Sequence, residues 1–354
     1  MKVLFVYDRN TYPNPFVRTL ADGIQRLGVD VTCSTNDFWQ SWNQYDIIHL
    51  QWPNLLVDGL ESVWPLKKHL QRINESGIPL VITFHNLHPH YATGSIVNDA
   101  YDVVYEMVDC FIHMGSYSCN LLKEKYPSAK HVIIPHHIYD TIYKSIPTKE
   151  EAIKHLHLNP KLKYVLCFGT FRHDEEREIA IKASEIMGEY NGKILAPSFS
   201  PFFFRRDIKG LRITLNEFIQ HLRCRFKYRN IIITRGFVSD KDLPYYYAAS
   251  DIALIHRKEI LNSGNLPMAF YMGKVVVGPN VGNVGEILRD TGNPTFDIHD
   301  NDSLEGVLKE AMTLAAQDKG EENRQYAINN LSSKIIAQQH KDLYQTLITK
   351  VLVK

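Results

Sequence analysis

Two doubly wound α/β domains in tandem are what this sequence predicts, and three observations predict them. Short apolar runs alternate with amphipathic stretches as far as Pro135; a proline-spaced segment then interrupts the rhythm; and the same alternation restarts and continues beyond Ser303. Runs that are apolar almost throughout suit strands covered on both faces, and strand–helix repetition suits crossovers on a parallel sheet.

In chain order, strands are expected at residues 2–8, 29–34, 46–51, 79–85, 110–115 and 131–135. Helical patterns fall between them at 16–27, 60–76, 96–108 and 116–126. Pro135, Pro147 and Pro160, with a charged helix near 149–157, read as the connection between domains. The restart begins with a strand at 163–171 and runs through 175–188, 193–199, a helix near 215–223, 231–237, 241–249, 252–256, 264–272, 275–279, 284–289, 295–298 and 303–316. The expected division is residues 1–150, residues 151–331 and a terminal helix at 332–354. Its apolar positions Ile336, Leu343, Leu347 and Val351 stand near helical spacing. Such a stripe suits a helix packing back across the domain junction, and equally a helix lying on the second domain. No sequence repeat links the halves, so their likeness is architectural.

Composition bounds the function. The 354 residues are 44% hydrophobic and 22% charged, enough for two cores of ordinary size. A net charge of +1 gives no global attraction to nucleic acid. The five cysteines, Cys33, Cys110, Cys119, Cys167 and Cys224, form no Cys-x-x-Cys pair, and their odd number speaks against a disulfide framework and for a reducing, cytoplasmic setting. The first apolar run, Val3 to Tyr7, is too short for a signal-peptide core, and no stretch of 18 apolar residues spans a membrane.

In open parallel sheets ligands sit beyond the carboxyl ends of the strands, so the loops there carry the candidates. The most informative runs from Asp251 through Arg257 to Ser263-Gly264-Asn265-Leu266-Pro267-Met268. A buried strand ends at a basic residue, and a small polar loop opens a helix, which reads either as a diphosphate seat or as plain capping. Gly169-Thr170-Phe171-Arg172 follows the strand at 163–168, and Arg172 is either a phosphate contact or an ion-pair partner of Asp174 or Glu175. Gly278, Gly282 and Gly285 let a ligand approach the main chain, and Glu286 either binds sugar hydroxyls or complements a helix dipole.

In the first half, His85, His88 and His90 follow the strand at 79–85, with His136 and His137 on the same edge and Asn14-Pro15-Phe16 after the first strand. The histidines lack nearby Cys or carboxylate ligands, so sugar contact or proton transfer by His85 is favoured over a metal. Asp240/Asp242 and Asp300/Asp302 fall at expected helix starts, where acidic residues belong without a metal. Pro201-Phe202-Phe203-Phe204-Arg205-Arg206 and the cluster Arg223, Arg225, Lys227 and Arg229 suit either an anionic lipid interface or a buried aromatic patch with a basic rim.

Together these loops resemble the bacterial GT-B glycosyltransferases related to family 4, and the β-1,4-mannosyltransferase group that builds lipid-linked oligosaccharides. Nearly the whole chain takes part: Asn14-Pro15-Phe16, Ile48-His49-Leu50-Gln51-Trp52-Pro53, Thr83-Phe84-His85-Asn86-Leu87-His88-Pro89-His90, Ile134-Pro135-His136, residues 168–172, Ser250-Asp251, Leu261-Asn262-Ser263-Gly264 and Gly285-Glu286. The resemblance implies a GT-B fold of two Rossmann-like domains facing a cleft. The first would hold the acceptor through Asn14, Trp52, His88, His90 and His136. The second would hold a UDP- or GDP-linked sugar through Gly169, Arg172, Phe237, Val238, Arg257, Ser263, Gly264 and Glu286. His85 would face the transferred sugar and leads as catalytic base, ahead of His88, His90 and Asp99. No metal or further cofactor is implied.

Two departures from the family pattern stand out. Met268 occupies the place of the second, ribose-binding glutamate of the Glu-x7-Glu motif, and Glu175 that of the usual phosphate lysine, for which Arg177 or Arg257 would substitute. These changes suit an inverting subgroup. The implied activity is transfer of a hexosyl unit to a glycan, lipid-linked, in surface-polysaccharide synthesis at the inner face of the cell membrane. Two rivals remain open: a sugar-nucleotide epimerase of the same fold, and a non-catalytic partner subunit.

Overall fold

The computed structural model describes residues 1–9, 11, 14–86, 95–199, 215–233, 238–300 and 302–352. Its contacts divide the chain into two compact units, Met1–Thr141 with Asn330–Lys354, and Ile142–Asn329.

The first unit is built on six parallel strands: β1 (Lys2–Val6), β2 (Asp30–Cys33), β3 (Ile47–Leu50), β4 (Leu80–Thr83), β5 (Cys110–His113) and β6 (Lys130–Ile133). Their order is β2-β1-β3-β4-β5-β6. Every residue of β3, β4 and β5 is buried, which is why these strands are apolar but for His49, Thr83 and His113. Helices α1 (Pro15–Arg26), α2 (Thr35–Gln40), α3 (Trp64–Ser76), α4 (Ser95–Met107) and α5 (Ser116–Lys125) make the crossovers. Sequence sets their ends. Asn14 caps α1 by accepting a hydrogen bond from the Phe16 amide at 2.9 Å, with Pro15 at the first helical position. Gly77, with φ +76°, terminates α3.

The C-terminal helix, Ser333–Leu352, belongs to this unit and lies against α1, so it is not a helix of the second domain. Ile336, Ala337, Leu343, Tyr344 and Leu347 are buried in the same core as β1 and α1. A Cβ added at Gly23 would stand 3.0 Å from that of Ala337, so only a glycine lets the two helices approach so closely. The Lys341 ammonium donates to the Leu27 carbonyl at 2.8 Å, and Tyr344 hydrogen-bonds Nδ1 of the buried His49 at 2.7 Å.

The second unit repeats the plan. Strands β7 (Lys163–Leu166), β8 (Gly192–Leu195), β9 (Ile231–Ile232), β10 (Ile252–Leu254), β11 (Val275–Pro279) and β12 (Thr295–Phe296) are parallel, in the order β12-β11-β10-β7-β8-β9. The helices are α6 (Lys149–His155), α7 (Asp174–Glu189), α8 (Leu215–Lys227), α9 (Leu243–Ala249), α10 (Asn265–Tyr271), α11 (Gly282–Asp290), α12 (Ser303–Ala316) and α13 (Lys319–Leu331). Thr148 and Glu151 form a capping box at the start of α6, which packs on α9; the units therefore part before this helix, at Thr141 and Ile142. Asp242 and Asp302 stand at the N-caps of α9 and α12. The strand expected at 231–237 has two residues in β9, and residues 234–237 lie outside the described part.

No helix among the described residues is long and apolar enough to cross a membrane.

Candidate functional site

In the second sheet the chain moves from β7 through β8 to β9 on one side, then returns to β10 beside β7 and proceeds to β11 and β12 on the other. The loops after β7 and β10 therefore part at the switch point, where open α/β sheets form their binding crevice. These are the two loops singled out from the sequence.

Side chains tie the loops together. Asn265, the first residue of α10, donates from Nδ2 to the Phe168 carbonyl at 2.8 Å. Gly169 has φ +111°, a backbone conformation that favours glycine, and a Cβ there would sit a tight 3.3 Å from Asn265 Nδ2. Arg257 reaches back across the switch point. Its Nη2 donates to the Thr170 carbonyl at 2.9 Å, and its Nη1 pairs with Glu176 Oε1 at 2.5 Å. The other Glu176 oxygen accepts from the Arg172 amide at 2.6 Å. Glu176, at the start of α7, is 5% exposed. A carboxylate so enclosed needs partners for its oxygens, and Arg257 and the Arg172 amide supply them.

This geometry gives two of the expected phosphate-binding arginines protein partners. Arg257, an expected phosphate contact, also braces Glu176 and Thr170 through its guanidinium. Arg177 was a substitute for the missing lysine; it donates to the Phe171 carbonyl at 3.2 Å and the Phe199 carbonyl at 3.4 Å, and pairs with Asp174 at 3.0 Å. Asp174, an expected partner of Arg172, is thus taken up by Arg177. The Arg172 side chain stands exposed on the loop, and Glu175 is exposed in the first turn of α7.

The remaining candidates complete the rim. Ser263 and Gly264 are half-buried, and Gly264 caps α10 without a side-chain hydrogen bond. With seven residues in α10, its dipole is small. Met268, which stands where the family pattern has a glutamate, is 3% exposed. Gly282 has φ +59°, and a Cβ on it would meet the Ile260 carbonyl at 2.5 Å. Asn283 Nδ2 donates to Asn262 Oδ1 at 2.7 Å, fastening the 258–262 loop to α11. Glu286 is half-buried one turn along α11, and Val238 is buried. Phe237 lies outside the described residues. His256 stacks on Phe171 with centroids 4.0 Å apart, and burial pushes its pKa down to about 3, so it is neutral.

The first sheet has its own switch point, between β1 and β3. Trp52, just past β3, stacks on His85, just past β4, at 4.2 Å and 18°. His85 Nε2–H donates to Gln51 Oε1 at 3.0 Å, which leaves Nδ1 as the acceptor nitrogen. The Phe16 ring is the hub: its centroid lies 5.1 Å from that of His85 and 4.8 Å from those of His136 and His137. His136 Nδ1–H donates to the His137 carbonyl at 2.7 Å. Desolvation pushes His85 and His136 down to about 3. Asn14 is half-buried, its side-chain oxygen engaged in capping α1. Four candidates from separate loops, Asn14, Trp52, His85 and His136, thus gather around Phe16, in aromatic surroundings. His88 and His90 lie outside the described residues. Among the described residues no group of three His, Cys, Asp or Glu side chains is placed to hold a metal ion.

Two residues join this cluster that the sequence reading passed over. Tyr7 packs on Trp52 at 5.9 Å with its hydroxyl buried, and Nε2 of Gln51 is buried without a hydrogen-bond partner among the described residues. The available signal was an amide closing an otherwise apolar strand, in Ile47-Ile48-His49-Leu50-Gln51. Glu176 was missed because acidic residues at a helix start read as dipole partners.

No protein-family model and no curated protein matches this sequence. Solved structures do resemble it. Sucrose-phosphate synthase from Thermosynechococcus elongatus superposes with a TM-score of 0.73 at 14% identity, over 99% of this chain and 100% of that one. HepE from Anabaena, in complex with UDP-glucose, gives 0.71 at 13% identity, over 98% and 100%. A protein from Listeria monocytogenes assigned as a UDP-N-acetylglucosamine 2-epimerase gives 0.58 at 11% identity, over 95% and 94%. At such identities the likeness establishes the fold, and the fold is GT-B: α/β, with two six-stranded parallel sheets.

Proposed function

We propose that this protein is a glycosyltransferase that moves a hexosyl unit from a nucleotide diphosphate sugar to a glycan acceptor. The observation that carries the reading is the convergence of the β7 and β10 loops at the second sheet's switch point. Gly169 lets a ligand approach the main chain, Ser263 and Gly264 present backbone at a helix opening, and the exposed Arg172 supplies charge for a diphosphate. The UDP-glucose complex of HepE, a structure of the same fold, supports a UDP-linked donor. Stabilisation of the leaving diphosphate falls to Arg172 and backbone amides, with no metal required.

In the first unit the acceptor sugar meets Trp52, His85, His136 and the buried polar atoms of Tyr7 and Gln51. An uncharged, aromatic-walled site suits a polyhydroxyl ring. His85 contacts the transferred sugar. With a pKa near 3 it is a weak base in the unliganded protein, so its primary role is hydrogen bonding through Nδ1, and proton acceptance gains strength as negative charge arrives beside it. A lipid-linked acceptor in polysaccharide assembly at the inner membrane face completes the reading.

Titration calorimetry with UDP and GDP tests the donor site. Arg172→Ala is expected to weaken nucleotide binding at least about tenfold, the effect of losing a charge-assisted contact. Unchanged affinity removes the assignment. Incubation with a UDP-sugar and no acceptor separates transfer from epimerisation: an isomeric sugar nucleotide in the product would establish the rival activity.

A further inference from the structure

An exposed face of α8 joins apolar and basic residues in a pattern that the donor and acceptor sites do not use. Cys224 packs against the second unit's core, and Tyr228, just past the helix, meets Phe199 edge-on at 5.3 Å. These contacts define the inward side of the helix. Ile219 and Phe226, seven residues apart, share a stripe on the opposite side. They are 38% and 72% exposed. Arg223, Arg225 and Lys227 are exposed on its flanks and Arg229 just past its end, and the stretch from Leu222 to Asn230 holds no acidic residue.

We propose that this face docks on an anionic lipid bilayer. Isolated exposed apolar residues are ordinary on protein surfaces. Here the apolar stripe is bordered on both sides by cations, four within seven residues of a chain whose net charge is +1. That is the arrangement of an interfacial helix, in which apolar side chains enter the headgroup boundary while Arg and Lys extend to lipid phosphates. Charge complementarity chooses the occupant. A second copy of this face would set like charges against each other, and nucleic acid would leave Ile219 without an apolar partner. The inference is independent of the donor site, and the surface would hold the enzyme at the membrane where a lipid-linked acceptor resides.

The test is co-sedimentation of the full chain with vesicles of phosphatidylcholine, alone or mixed with phosphatidylglycerol, without nucleotide. Partition onto the anionic vesicles is expected to exceed that onto neutral ones at least about tenfold, and to fall with added salt. Arg223→Glu with Arg225→Glu is expected to lower the partition coefficient about tenfold or more, and Phe226→Ser about tenfold. Both variants change exposed positions and are expected to keep wild-type circular dichroism and UDP affinity. Equal partition on both vesicle types, or folded variants that bind vesicles like the wild type, would overturn the proposal. So would binding to single-stranded RNA with none to vesicles, or a monomer–dimer shift in Phe226→Ser with none to vesicles. Loss of UDP binding with vesicle binding intact would instead count against the donor-site reading alone.

Discussion

The two switch points share an architecture and differ in chemistry. At the second, a buried ion pair fixes two loops so that an exposed arginine stands on the rim. At the first, neutral rings pack around Phe16, and the polar atoms left buried there carry no charge. Strand order decides where each crevice opens; loop side chains decide what each can hold. The buried histidines sharpen the contrast. In the first unit, burial depresses the pKa of His49, His69, His85, His113, His136, His137 and His340. In the second, among the described residues, it depresses only that of His256.

Acid therefore offers the largest way to separate the units. A histidine whose folded pKa lies below 6.5 binds fewer protons folded than unfolded, so its stability contribution is complete above pH 6.5 and is lost as pH falls toward the folded value. His85, His113 and His136 reach about 3, and His340 about 4, which sets the window. Each contributes a slope of up to about 1.4 kcal/mol per pH unit inside it. All four tryptophans, Trp39, Trp42, Trp52 and Trp64, lie in the first unit and report on it alone. Their emission is expected to show unfolding at a higher pH than the full far-UV circular dichroism change. Loss of both signals together, with a midpoint below pH 3, would contradict this account.

The ion pair is the second unit's counterpart. Glu176→Gln leaves Arg257 enclosed without its charge partner, a change expected to cost about 3–5 kcal/mol. Denaturant melts followed by circular dichroism should show it, with the tryptophan transition moving less. An equal shift in both probes would place the pair's influence outside its own unit.

A smaller effect is expected where the C-terminal helix meets β3. Tyr344→Phe removes the hydroxyl that partners His49 Nδ1 and leaves a buried nitrogen unsatisfied, at about 1–3 kcal/mol. Here the tryptophan transition should move. No change would show that helix packing through Ile336, Ala337 and Leu347 suffices.

How much of this was legible in the sequence follows the same physics. Strands buried on both faces announce themselves, so β3, β4, β5 and β11 stand where the apolar runs lie. The loops after β7 and β10 were found because glycine, arginine and a small polar run at a strand end have few structural uses. Partnership was not legible. Nothing in spacing tells that Arg257 meets Glu176, since the pair joins residues far apart in sequence, or that Arg177 is held by carbonyls. The C-terminal stripe fitted two surfaces equally, and its packing on α1 and the Tyr344–His49 hydrogen bond distinguish them. Gln51 looked like the polar end of a strand, although its environment gives it a further use.

That residue supports the finest test of the contrast, because it separates site from scaffold. Gln51 accepts from His85 while its own Nε2 lacks a partner among the described residues. Gln51→Leu removes one unsatisfied buried donor and one acceptor, and the two changes offset. Stability is expected to stay within about 1 kcal/mol of wild type. A residue that only supports the fold would then leave function untouched. A residue that orients His85 toward a sugar would instead lower kcat for glycosyl transfer about tenfold at unchanged UDP affinity, since the proposed nucleotide site lies in the other unit. Full activity in Gln51→Leu would return the first switch point to the scaffold and leave the second as the protein's sole candidate for chemistry.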